Sequence, residues 1–227
     1  MEGRIFASFH STERSEPEEL IEPTLSVCAK LGLASKSPTP LDPDEITFSD
    51  RNRVVVYDGN RQVRLNFRIG DWSGAIDSML NIKTPANGFV STDADPDNEY
   101  TGFARDFVNL IRDLTVELDP VYVSTHNTHV EPNTPSPETV IPFETPIELE
   151  RIPWLGVYSE PLIDWFGGRD HVLETPAWKV TELENGSILI ITTRTPWKGY
   201  HSKLPADDHL VDHVESREAA NVLERGS

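Results

Sequence analysis

The sequence predicts an α+β protein: an antiparallel sheet with helices packed on one face, built as two sequential halves. Two turns predict the antiparallel strands, since Asp58-Gly59-Asn60 and Glu184-Asn185-Gly186 each sit between β-rich arms and supply residues that tolerate a tight reversal. A long amphipathic run ending at Leu118 predicts a helix laid on that sheet. The elements do not alternate regularly as strand-helix-strand, which counts against a doubly wound parallel sheet.

In order along the chain, Arg4 to Phe9 alternates apolar and polar residues as a strand does. Ser15 followed by Glu18 predicts a capping box, and Leu20, Ile21, Leu25, Cys28 and Leu31 recur at helical spacing up to a stop at Gly32. Pro23 lacks an amide donor, so it predicts a kink or a later start. The runs Ile46 to Ser49, Val54 to Tyr57 and Val63 to Ile69 predict a meander. From Asn98 to Leu118 a helix places Phe103, Phe107, Leu110, Ile111 and Leu114 on one stripe, leaves Arg112 and Asp113 off it, and ends before Pro120. Val121 to Ser124 predicts a strand returning to the same sheet, which completes an N-terminal half over 1–125.

Residues 126–140 hold three prolines and no periodic pattern, which predicts a surface connection. The C-terminal half, 141–195, then predicts a strand at Trp154 to Tyr158, a short helix at Glu160 to Phe166 halted by Gly167 and Gly168, and a hairpin with arms Trp178 to Leu183 and Ser187 to Thr193. Residues 196–227 predict a polar, peripheral tail with one helical stretch near Asp208 to Leu223.

Composition narrows the function. At 227 residues the chain is long enough to bury a core without disulfides, and its single cysteine, Cys28, cannot form an internal one. No signal-like apolar run opens the sequence and none approaches the length of a bilayer span, so the expected location is the cytoplasm, away from the membrane. A net charge of -18 without Lys or Arg clusters argues against nucleic acid as a ligand. It suits a basic protein partner, or a host adapted to high salt.

The chemistry-bearing residues form no recognisable catalytic set. There is no G-x-S-x-G elbow and no phosphate-cradling glycine loop, and Cys28 falls within an apolar helical stripe. His126 and His129 have only Glu131 nearby in sequence; His209 and His213 share a helix face, but Leu210 stands where H-E-x-x-H needs its glutamate. Asp93, Asp95, Asp97 and Glu99 resemble the start of a calcium loop, yet Asn98 replaces its glycine and Ala104 its bidentate glutamate; capping the following helix is the simpler role. None of Lys30, Lys36, Lys83, Lys179, Lys198 and Lys203 has a carboxylate two positions earlier, unlike the pattern of many metal-dependent nucleases. The expectation is a chain with no catalytic residue, no metal and no cofactor. Two other classes stay open: an enzyme using Asp71, Asp106 or Asp164 in a cleft between the halves, and an assembly subunit.

The stretch Ile152 to Gly168, IPWLGVYSEPLIDWFGG, with Pro176-Ala177-Trp178 and the later ENGSILIITTRTPW, resembles the C-terminal part of the immunity protein 52 family and related type VI immunity proteins. Elsewhere the resemblance lies in the order of elements. It implies a cytoplasmic antitoxin-like protein that binds and neutralises a cognate toxin, often a nuclease, with a basic surface facing it. By residue type, the candidates for partner binding are Asp93, Asp95, Asp97 and Glu99 for steering and Trp154, Tyr158 and Trp165 for contact. For the three aromatics, packing against a helix is the leading role and partner contact the other.

Overall fold

A computed structural model of the chain describes residues 4–11, 15–36, 39–40, 53–58, 61–67, 77–85, 102–127, 151–194 and 203–214. Strand β1 (Arg4–Ser11) buries Ile5, Ala7 and Phe9, as its period of two predicts. Helix α1 (Pro17–Lys30) starts one turn position later than Ser15 suggested, because Glu16 is the cap: its N–H donates to Glu19 Oε2 at 3.1 Å, and Pro17 takes the first helical position. The helix runs on through Pro23, where buried Thr24, Leu25, Val27 and Cys28 supply the packing that outweighs one missing hydrogen bond. Gly32 ends it at φ +76°, with Gly32 N–H bonded to Ala29 O at 2.9 Å and Leu33 N–H to Cys28 O at 3.0 Å. Burial pushes the Cys28 thiol up to about 12, which leaves it inert.

The meander follows as β2 (Ala34–Lys36), β3 (Thr39–Pro40), β4 (Arg53–Asp58), β5 (Arg61–Phe67) and β6 (Asp77–Pro85). The predicted run at Ile46 to Ser49 lies outside the described residues. Strand β6 is a strand that sequence reading missed, although buried Leu80, Ile82 and Thr84 alternate with Asn81 and Lys83. Helix α2 (Gly102–Leu118) buries Phe107, Leu110, Ile111 and Leu114 as predicted, and β7 (Tyr122–Asn127) returns beside β1, running past the predicted boundary at His126.

The C-terminal half adds β8 (Leu155–Tyr158), α3 (Glu160–Trp165), α4 (Arg169–Leu173), β9 (Lys179–Glu182) and β10 (Ile188–Ile191), then α5 over 205–214. All ten strands join one antiparallel sheet in the order β3-β2-β4-β5-β6-β1-β7-β8-β10-β9. The halves meet where Tyr122, Val123 and Ser124 pair with Tyr158, Val157 and Gly156. Buried Thr125 extends that seam, its hydroxyl donating to Leu155 O at 2.9 Å and accepting the Leu155 N–H at 3.0 Å. The β9–β10 turn adds a second stitch, with Asn185 Nδ2 donating to Asp119 Oδ1 at 2.8 Å.

The α+β class is as predicted, and within each half the helices cover one face, but the two halves use opposite faces. Every residue of β8 and β10 is buried. Leu155, Val157, Leu189 and Ile191 point into the core shared with α1 and α2. Tyr158, Ile188 and Ile190 point into a second core with α3 and α5. Helix α5 therefore corrects the expectation of a peripheral tail: Ala206, Leu210, Val211 and Val214 are buried in that second core.

His10, at the end of β1, stacks on Tyr122 with ring centroids 5.7 Å apart, and burial lowers its pKa from 6.5 to about 4. The folded chain thus holds His10 neutral while the unfolded chain protonates it below about 6.5. Its stabilising contribution is complete above that pH and is lost as pH falls through 4, about 3 kcal/mol in all. Urea unfolding at pH 7 and pH 4.5 is expected to show this loss, and His10→Gln is expected to lessen it; an unchanged pH dependence in that variant would refute the assignment.

Candidate interaction face

The second core is pinned by one buried side chain. Asp207, 1% exposed in the first turn of α5, accepts the Leu204 N–H through Oδ2 at 2.7 Å and the Ile152 N–H through Oδ1 at 2.7 Å. It caps its own helix and ties the helix to the entrance of β8 in one stroke. Beside it, the rings of His171 and His209 stack at 4.0 Å, and each Nε2 donates to the other's backbone carbonyl, at 3.1 and 2.8 Å. The His213 ring packs on His171 at 4.4 Å. Gly167 makes room for it: a Cβ there would lie 2.7 Å from His213 Nε2, and φ of +113° already disfavours any other residue. The sequence places His209 and His213 on one helix face; His171, on which both pack, is 38 positions from His209. Among the described residues no group of three or more His, Cys, Asp or Glu side chains is arranged to hold a metal ion.

Arg169 fastens α4 to its surroundings. One guanidinium nitrogen donates to Glu182 Oε1 at 2.6 Å and Gly186 O at 2.8 Å, and the other pairs with Glu160. Beyond α4 the chain turns tightly into β9: Thr175 Oγ1 donates to Val172 O at 2.7 Å, Ala177 N–H to Thr175 O at 2.8 Å, and Trp178 N–H to Thr192 O at 3.3 Å. Leu173 and Trp178, 38% and 36% exposed at the two ends of this turn, are the exposed large hydrophobic residues among those described. Six carboxylates and two cations lie between Glu160 and Gly186, and Asp170, Glu174, Glu182 and Glu184 are exposed. One cation, Arg169, is already engaged by Glu160 and Glu182.

The sequence-predicted contact residues divide. Asp93, Asp95, Asp97 and Glu99 lie outside the described residues. Trp154 is 5% exposed, its Nε1 donating to Thr193 O at 2.8 Å, and Tyr158 is 1% exposed; both are core residues, which corrects their assignment as surface contacts. A strand buried on both faces leaves neither ring a route to a partner. Burial, then Tyr122 and Asp207, pushes the Tyr158 phenol well above its usual 10. Trp165 packs on Phe166 at 4.9 Å and stays half-buried, within reach of the surface. Leu173 and Trp178, not the two buried aromatics, are the large apolar side chains that reach the surface among the described residues, an exposure that follows from the tertiary fold. Asp106 and Asp164, the candidate cleft carboxylates, sit exposed on helices that cover opposite faces of the sheet, and Asp71 lies outside the described residues.

These features define the class: an acidic α+β domain with one continuous antiparallel sheet and helical layers on opposite faces of its two ends. Among solved structures, Pseudomonas aeruginosa T6SS protein PA0821 shares this fold at a TM-score of 0.51, over 93% of this chain and 76% of its own, with 12% sequence identity. No family model matches the sequence, and no curated protein matches it. No helix among the described residues is long and apolar enough to cross a membrane.

Proposed function

We propose that this chain is an immunity-type protein of a type VI secretion setting, which binds a cognate toxin domain in the cytoplasm and neutralises it by covering its surface. The observation that carries the reading is the fold shared over 93% of the chain with a T6SS protein. The resemblance of Ile152 to Gly168 to type VI immunity proteins supports it, as does the net charge of -18. A nuclease is the toxin class that fits best, because a site built to grip phosphates presents the Lys and Arg side chains that an acidic inhibitor complements. Carboxylates then steer the encounter, and desolvated apolar anchors slow dissociation. The cleft-enzyme alternative gains no support from Asp106 and Asp164, which face away from one another across the sheet.

Where a toxin domain is encoded beside this gene, co-expression with it is expected to restore growth, and the two purified proteins are expected to co-elute as a complex whose association rate falls steeply with added salt. Unprotected cells together with no complex would refute the proposal.

A further inference from the structure

Resting on that reading, we infer that the toxin docks on the α4–β9 face, with Leu173 and Trp178 as its apolar anchors and a basic protein surface as its occupant. Three observations converge there. The two exposed large hydrophobic residues among those described lie five positions apart at the ends of a single turn. That turn's backbone is fixed in place by hydrogen bonds from Thr175, Ala177 and Trp178, so little loop freedom remains to be lost on binding. Near it stand the exposed carboxylates of Asp170, Glu174 and Glu184; Arg169 is taken up by Glu160 and Glu182, which leaves the exposed Lys179 as the one other cation between Glu160 and Gly186 and a net acidic surface.

Apolar anchors inside an acidic rim match the anatomy of an interface centre and edge, and the sign of the rim selects a Lys- or Arg-rich partner. Trp178 in particular offers a large, rigid contact with few rotatable bonds. The face is also close to α5: His171 on α4 stacks on His209, so the second core supports the docking surface from behind.

The test uses the whole chain and the toxin domain of the adjacent gene. Leu173→Asp with Trp178→Ala is expected to weaken binding roughly tenfold or more, chiefly by faster dissociation, in a variant whose circular dichroism shows it folded at the assay temperature. Glu174→Lys is expected to slow association and flatten its salt dependence, whereas Asp106→Lys, on the opposite side of the sheet, is expected to change association little. If the wild-type chain binds and protects but the Leu173/Trp178 variant does so equally well, the docking site is refuted and the immunity reading stands. If sedimentation shows a dimer of this chain that the same variant abolishes, the face is a self-interface and the inference is likewise overturned. If the wild-type chain neither binds nor protects, the immunity reading fails first and the inference falls with it.

Discussion

Gly156→Val is expected to abolish cooperative unfolding, and Gly156→Ala to lower stability by about 3 kcal/mol. The backbone of β8 at Gly156 lies directly under the Tyr158 ring. A Cβ built there would stand 2.5 Å from Tyr158 Oη, 2.9 Å from Cζ and 3.0 Å from Cε2, closer than real carbon atoms approach. An exposed tyrosine would swing aside at small cost. Tyr158 cannot, because its ring is held between Tyr122 at a centroid distance of 5.5 Å and Phe166, edge-on, at 5.2 Å. Strand β8 cannot retreat either, since Gly156 is paired on both sides, with Ser124 of β7 and Ile190 of β10. The clash must therefore be absorbed by the core that joins the two halves.

Thermal or denaturant unfolding measures the loss, and a double-mutant cycle assigns its cause. Tyr158→Leu removes the ring, so Gly156→Ala on that background is expected to cost well under half of its cost alone. Equal costs on the two backgrounds would refute the steric account. Tyr158→Phe gives an independent check, since the Tyr158 hydroxyl is buried with no hydrogen-bond partner among the described residues. Deleting it is expected to leave stability unchanged or slightly raised.

Local chemistry was legible in the sequence and tertiary placement was not. Gly32 marked the end of α1 because only a residue free of a Cβ takes φ +76° without strain, and Asn185-Gly186 marked the hairpin for the same reason at φ +82°. The stripe of α2 was legible because solvent falls on one side of it only. By contrast, Ile188-Leu189-Ile190-Ile191 is apolar throughout, so its composition cannot say which side chain meets which helical layer. For Tyr158 and Trp154 the sequence leaves contact open beside packing, because it does not record that β8 is central. Leu173 and Trp178 passed unnoticed because exposed and buried apolar residues read alike along the chain. The cluster of His171, His209 and His213 was equally hidden, its members being brought together by packing between α4 and α5.

Asp207→Ala is the other substitution with a large expected effect, a loss of about 3 kcal/mol, because it strips acceptors from two backbone N–H groups at once. Ile152 is 55 positions earlier and lies at the entrance to β8, so the side chain does more than cap α5: it sets where the helix docks. Asp207→Asn is not conservative at this position. An amide can accept one of the two N–H groups, but its own NH2 then confronts the other, so the expected cost is still about 1–2 kcal/mol. Hydrogen exchange resolves the mechanism, since the Ile152 and Leu204 amides and the helical amides over 205–214 are expected to lose protection ahead of those in β1 and β6. Uniform exchange across the sheet, or an Asp207→Asn variant as stable as the wild type, would refute it. The consequence reaches the proposed docking face. Once α5 loosens, His209 and His213 withdraw from His171, the rear support of α4 goes with them, and Leu173 and Trp178 lose the fixed spacing on which tight binding depends. Asp207→Ala is therefore expected to weaken the toxin complex without touching it, and to do so less at temperatures where α5 remains docked.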